Sequence, residues 1–252
     1  MPTFVDAVYA AVLIGFMTVY EYKYFWPQFR AAAIADRPGA RTHFYRRIVA
    51  GEWILTFCAL VIWARAHRTW DDIGLAMPHG WRLALGVLVV VLVLALFGAQ
   101  LWSVLRLPVE RRIAARPKLG DVAFMVPRTA RDQRWFLTLS ITAGFCEELL
   151  YRGYLPWLFA PWLGRVGALL FVAALFGAGH LYQGWRGAIR ATLVGVFMVT
   201  IVLATSSVIP AMIVHALIDI GGGAVGYWLL REYPTHSMPR AAAAPSEAAV
   251  ET

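Results

Sequence analysis

Three charged side chains lie within six residues of an otherwise apolar stretch, GFCEELLYRGYL at 144–155. On a helix, Glu148 and Arg152 are four residues apart and share one face, so they can form an ion pair. Glu147 is rotated by about 100° from Glu148 and is left without that partner. A carboxyl group held in an apolar site can serve as a general base or acid. We therefore predict a chemical role for Glu147, and the alternative is that all three charges only tie this helix to its neighbours.

Two further apolar stretches carry ionisable residues at helical spacing. His180 follows Phe176 by one turn in LFGAGHLYQGWRG, and His215 precedes Asp219 by one turn in IPAMIVHALIDIGGG. A single histidine in a membrane helix is often a hydrogen-bonded packing residue. Three helices that each carry ionisable groups instead predict one shared polar pocket. Glycines flank both histidines, and small residues allow helices in a membrane to approach closely.

The composition indicates a membrane protein. The 252-residue chain is 60% hydrophobic and only 15% charged, with a mean hydropathy of +0.61, whereas soluble domains are about 25% charged. Several runs reach the roughly 20 apolar residues that a helix needs to span a bilayer. No other stretch is long enough to bury a core of its own. We predict an all-α, polytopic transmembrane helical bundle of about seven or eight spanning helices, a multi-pass protein of the cell membrane.

The chain divides into three parts on this interpretation. Residues 1–134 hold the N-terminal helices and a basic amphipathic loop, residues 135–230 form the helical core with the predicted site, and the Ala/Pro-rich tail 231–252 is expected to be disordered. All spans are expected to be helical, because irregular backbone cannot face lipid. The predicted spans are 3–20, 46–64, 82–104, 135–152, 166–182, 188–205 and 208–230.

Simple crossing helices would place Glu147 and His180 at depths that differ by several ångström to about 10 Å. The connection YLPWLFAPWLGR at 154–165 contains Pro156 and Pro161. We expect this segment to dip back into the membrane as irregular backbone, or to form a short eighth helix, so that the next span begins deeper.

The net charge of +8 reflects membrane topology, because the basic residues are confined to the connections between apolar runs. The expected partner is therefore the lipid bilayer and not nucleic acid. Cys58 and Cys146 each lie inside a predicted span and form no metal-binding or redox pair. We assign no role to Glu21, which lies in a predicted loop at 21–47, or to Glu52. The remaining histidines also have no assigned role: His43, His67, His79 and His236.

At these motifs the sequence resembles the CPBP family, the CAAX proteases and bacteriocin-processing enzymes, which includes the Ras-converting CAAX endopeptidase. The resemblance covers about residues 135–223, and the three motifs occur in the same order. The family pattern EExxxR resembles Glu147, Glu148 and Arg152. The pattern FxxxH resembles Phe176 and His180, and the pattern HxxxN/D resembles His215 and Asp219.

This resemblance implies an intramembrane glutamic-type endopeptidase that hydrolyses membrane-proximal bonds in a peptide or membrane-protein substrate. Glu147 and His180 would activate a water molecule, and His215 with Asp219 would stabilise the oxyanion. The residues that would support the site are Glu148, Arg152 and Phe176. The family mechanism needs no cofactor.

Asp219 stands where the Ras-converting type has asparagine, and an ionised carboxylate cannot donate to an oxyanion. His215 alone would then carry that role. The same glutamate, histidines and aspartate are also zinc ligands by type, which leaves a zinc-dependent protease open, although we favour a metal-free site. A non-catalytic scaffold, a bacteriocin immunity protein or a small-solute channel could use these residues for packing or conduction. A channel would line several successive helical turns with polar groups. In this sequence, each span instead has its polar groups concentrated at one depth.

Overall fold

The structure is a computed structural model. It describes residues 1–230, apart from the side chains of Phe16, Met17 and Asp121. Most of these residues are helical. No β-strand occurs in this part. Six of its helices are long and apolar enough to span a membrane, which confirms the all-α, multi-pass architecture. The predicted tail 231–252 lies outside the described residues. The six helices are α1 (Phe4–Ile34), α2 (Ala40–Arg65), α3 (Trp81–Leu105), α4 (Ala130–Gly179), α5 (Leu181–Thr205) and α6 (Ile209–Leu230).

Helix α4 is a hairpin that reverses at Gly164. This glycine has φ 66° and ψ 168°, a backbone conformation that side chains with a Cβ rarely adopt. Ring contacts join residues on either side of the reversal: Phe159 lies 5.1 Å from Phe171, and Tyr151 lies 5.2 Å from Phe176. The two predicted spans at this place are therefore the two arms of one helical hairpin.

The hairpin determines the depth of Glu147 and His180 along the helix bundle. Glu147 precedes Gly164 by 17 residues and His180 follows it by 16. At 1.5 Å per residue, each lies about 25 Å from the reversal. The two side chains therefore reach one level, and the depth difference expected from separate spans does not arise.

The expectation of irregular backbone at 154–165 is wrong, because the chain stays helical up to residue 163. Pro156 is the second residue after a π-helical turn, Leu149–Tyr154. The regular hydrogen-bond ladder is already interrupted there, so a residue without an N–H group causes no further break.

Helix α1 also extends beyond its predicted end. Most of the predicted loop 21–47 is helical, interrupted only by a short turn at 35–39. Phe29 stacks on Phe44 with 3.9 Å between ring centroids, so aromatic packing holds the extended end of α1 against α2. Glu21 consequently lies inside a helix of the bundle and not in a loop.

The opposite end of α1 is fixed by a buried carboxylate. Asp6 is fully buried and accepts hydrogen bonds from Arg68 at 2.7 Å and from the Tyr154 hydroxyl at 2.6 Å. The guanidinium of Arg68 also lies over the ring of Trp157, 4.3 Å from its centroid. These bonds to Asp6 raise the pKa of Arg68, which lies in the connection after α2, above its ordinary value. The start of α1 is thereby attached to α4.

Close packing of the first arm of α4 against α6 depends on Gly144. A Cβ atom at this position would lie 2.7 Å from the Met212 carbonyl oxygen and 2.9 Å from the Ala216 nitrogen, both of them backbone atoms. Real Cβ contacts are not this short, so the two helices could not keep their separation. Gly98, in α3, has no atom within 4 Å of the equivalent position and is exposed.

We expect Gly144→Ala to destabilise the protein by about 1–3 kcal/mol, the usual effect of overpacking. Gly98→Ala is the matched control, since it adds the same methyl group to open space within a helix, where it is neutral or slightly stabilising. Thermal unfolding in detergent micelles measures both. Equal melting temperatures for the two variants would contradict the close approach of α4 and α6.

Candidate active site

The first motif lies where the α-helix gives way to a π-helical turn. Regular helix runs over Ala130–Glu148, and the π turn occupies Leu149–Tyr154. Such turns are frequent at functional sites. Within this junction Glu148 and Arg152 form the predicted ion pair, with 3.0 Å between Arg152 Nη1 and Glu148 Oε1. Both side chains are almost completely buried, so the pair is shielded from solvent.

Arg152 is further stabilised by the second arm of the hairpin. Its guanidinium lies over the ring of Phe176, 4.5 Å from the centroid. The Nε and Nη2 atoms are buried and have no hydrogen-bond partner among the described residues. Glu148 and the Phe176 ring are therefore the groups that stabilise this buried charge.

His215 connects this pair to Glu147. Its Nδ1 lies 2.7 Å from Glu148 Oε1, the oxygen that also pairs with Arg152. A carboxylate only accepts, so His215 donates through Nδ1. Its Nε2 then faces two other carboxyl groups, with Glu147 Oε2 at 3.7 Å and Asp219 Oδ2 at 3.8 Å. The imidazole thus bridges α4 and α6 and has carboxyl groups near both ring nitrogens.

His180 is oriented by its own helix at the end of α4. Its Nδ1 lies 2.8 Å from the carbonyl oxygen of Phe176, which can only accept. Nδ1 therefore carries the hydrogen, and the neutral ring presents the lone pair of Nε2. The ring also packs against Phe176 at 4.5 Å and against Tyr182 at 5.7 Å between centroids. These contacts fix both the tautomer and the direction of the base.

Glu147 and His180 line one cavity among α1, α2, α4 and the beginning of α5. Its volume of about 110 Å³ holds several water molecules. His215 contacts Glu147 but is not part of the cavity wall, and neither is Asp219. The structure therefore brings Glu147 and His180 together around the cavity and places His215 with Asp219 beside Glu147. Other polar groups on the wall are Glu21, Glu52, Tyr151 and Tyr182.

Sequence reasoning missed Glu21 and Glu52. The extension of α1 brings Glu21 to the cavity wall, and a charge in a predicted loop gives no sign of this position. Glu52 carried a usable signal, because it is a single carboxyl group within an apolar helix, and such groups are functional candidates by default.

A zinc ion would need several of these donor groups as ligands. Within residues 1–230, no group of three or more His, Cys, Asp or Glu side chains is arranged to hold a metal ion. Structural and catalytic zinc sites need at least three such protein ligands. No such three-ligand group is found among the described residues of the predicted site. The two cysteines are free.

The part of the chain that carries this site is similar to a known protein family. Residues 132–221 match the family described as Type II CAAX prenyl endopeptidase Rce1-like, which confirms the resemblance seen in the three motifs. The matched segment begins in α4, ends in α6 and contains all seven predicted site residues, whose individual roles stay predictions. Helices α1, α2 and α3 lie before it. No curated protein and no solved structure gave a significant match.

We expect Glu148→Gln to destabilise the protein by about 3–5 kcal/mol, because it leaves the Arg152 charge buried without its counterion. The double variant Glu148→Gln/Arg152→Met should be more stable than Glu148→Gln alone, since it removes the uncompensated charge. Thermal unfolding in micelles gives both values. Glu110→Gln is the control, an exposed residue expected to change stability by less than about 0.5 kcal/mol. A Glu148→Gln variant as stable as this control would contradict a network held together by the buried ion pair.

Proposed function

We propose that this Rce1-like chain is an endopeptidase of the cell membrane that hydrolyses membrane-proximal bonds in a peptide or membrane-protein substrate. The observation that supports this most strongly is the shared cavity, in which the Glu147 carboxyl group and the His180 imidazole line a space large enough for several water molecules. Peptide hydrolysis needs a water nucleophile and a group that removes its proton. In this proposal Glu147 removes the proton, and His180 holds the water molecule in place.

In the first step, a water molecule in the cavity donates one hydrogen bond to the Glu147 carboxylate and the other to His180 Nε2. Glu147 takes the proton as the water oxygen attacks the carbonyl carbon of the scissile bond, and the carbonyl oxygen becomes an oxyanion. The proton on Glu147 is then delivered to the leaving amine as the C–N bond breaks. The site returns to its starting protonation state apart from the ordinary ionisation of the products.

His215 is the proposed donor to the oxyanion. Its Nδ1 is already engaged by Glu148, so a protonated ring has only Nε2–H left to offer. Asp219, 3.8 Å from Nε2, is too distant for a strong hydrogen bond but balances the positive charge of the protonated ring. In this role the carboxylate of Asp219 does not need to donate. An aspartate can therefore stand in place of the family's asparagine.

We propose that the reaction uses no metal or other cofactor. The reason is the arrangement of donors described above. Glu148 binds Arg152 and His215, and Nδ1 of His180 binds a backbone carbonyl, so these residues are committed to positioning one another. Glu147 and His180 Nε2 remain available to the water.

The direct test is cleavage of a membrane-tethered peptide library by the purified protein in liposomes. We expect Glu147→Gln and His180→Ala each to lower the cleavage rate by at least about 100-fold, the usual contribution of a general base or its partner. Glu110→Gln is the control for a carboxyl-to-amide change. A metal chelator should leave the wild-type rate unchanged.

Each opposing result rejects a different part of the proposal. Cleavage that disappears with the chelator would replace the metal-free site by a metal-dependent one. Cleavage that survives in both variants would reject the assigned residues. A folded wild-type protein that cleaves no peptide would reject the protease and favour a scaffold or an immunity protein.

A further inference from the structure

Glu52 is a half-buried residue with one buried carboxyl oxygen, and the proposed reaction does not use it. It lies in α2, outside the segment that matches the family, and yet it lines the same cavity as Glu147. Its Oε2 atom is buried and has no hydrogen-bond partner among residues 1–230. A carboxylate in such a position would be destabilised by the loss of its water shell. The protonation state of Glu52 therefore matters to the site.

The register of α2 against α4 holds Glu52 beside Glu147. Trp53, the next residue, donates a hydrogen bond from Nε1 to the Thr142 hydroxyl at 3.2 Å, and its ring stacks on Phe145 at 5.4 Å. These two contacts fix one residue of α2 against adjoining turns of α4. As a result, Glu52 and Glu147 face the same cavity from neighbouring helices, which allows their carboxyl groups to pair.

A hydrogen bond between two carboxyl groups requires one proton, because an ionised carboxylate cannot donate. Two adjacent carboxylates in a shielded site also repel each other too strongly to be ionised together. The surroundings decide which of them keeps the proton. Glu147 Oε2 lies 3.7 Å from His215 Nε2, and the Arg152 charge also acts on it. The carboxyl groups of Glu148 and Asp219 act on Glu147 as well. The charged groups that act on Glu52 among the described residues are the carboxyl groups of Glu147, Asp219 and Glu21. The negative charge is therefore better placed on Glu147.

We propose that Glu52 is a positioning residue of this site, which keeps the proton of a two-carboxyl pair and donates a hydrogen bond to Glu147. The inference rests on the proposed function, in which Glu147 is the base. The hydrogen bond holds Glu147 ionised and occupies one of its oxygens, so the other faces the water. When Glu147 takes the proton of the water, the pair holds two protons. It returns to one when the leaving amine is protonated.

Two substitutions at Glu52 separate the hydrogen bond from the space that the side chain fills. Glu52→Leu removes the donor, whereas Glu52→Gln keeps a donating N–H group on a side chain of the same shape. We expect Glu52→Leu to lower kcat by about 10- to 100-fold, the effect of one hydrogen bond to a charged group, with little change in KM. The acidic limb of the kcat/KM profile should move to higher pH, because Glu147 loses the donor that favours its ionised form. Glu52→Gln should restore both quantities.

Glu110→Gln serves as the control and should match the wild type. A Glu52→Leu variant with wild-type kcat and pH profile would overturn the proposal. A Glu52→Gln variant as impaired as Glu52→Leu would overturn it too, because the donated hydrogen bond would then not be the reason for the effect.

An infrared measurement tests the pair without relying on proteolysis. We would record the carboxyl C=O stretching region of the wild type and Glu52→Gln in liposomes at pH 7. The difference spectrum should show the loss of one protonated-carboxyl band. Loss of an ionised-carboxylate band instead would overturn the proposal, even in an active enzyme. The expected band together with an absence of cleavage would reject only the proposed function.

Discussion

The site depends on the need to stabilise Glu148, a carboxylate removed from water at the centre of the bundle. One of its oxygens is shared by the guanidinium of Arg152 and the imidazole of His215. Arg152 in turn requires the ring of Phe176. A shielded charge must be paired or it destabilises the fold. This single requirement therefore fixes the mutual positions of both arms of α4 and of α6, and it orients His215 toward Glu147.

The arrangement separates structural from chemical groups although both are ionisable. Glu148 and Arg152 pair with each other and are not part of the cavity wall. Glu147 precedes Glu148 by one residue and faces the cavity with His180. The angular step of about 100° between adjacent helical residues is enough to give two neighbouring glutamates different environments. The pair of adjacent glutamates in the motif thus provides one anchoring residue and one candidate for catalysis.

The sequence predicted the helical class and which residues meet, because these follow from apolar run lengths and from spacing along each helix. It did not predict how the arms of α4 connect. Prolines are typical of irregular connections, whereas Pro156 follows a π turn and the reversal occurs at Gly164 instead. The position of Glu21 was also missed, since a polar stretch after an apolar run is usually a loop. Its place in α1 is determined by aromatic contacts between α1 and α2, which spacing within one helix cannot reveal.

The hairpin in α4 also limits how such a chain can evolve. Glu147 and His180 lie on antiparallel arms at nearly equal separations from Gly164 along the chain. One residue inserted between either of them and Gly164 would therefore move that side chain by about 1.5 Å along the bundle and turn it by about 100°. A compensating insertion in the other arm would restore the level of the two groups but not their facing directions. Only changes of whole helical turns, made in both arms together, would preserve the pair. The length of this segment is therefore under a constraint as strict as the identity of the residues it carries, whereas the connection between α3 and α4 can change in length without affecting the relation between these two side chains.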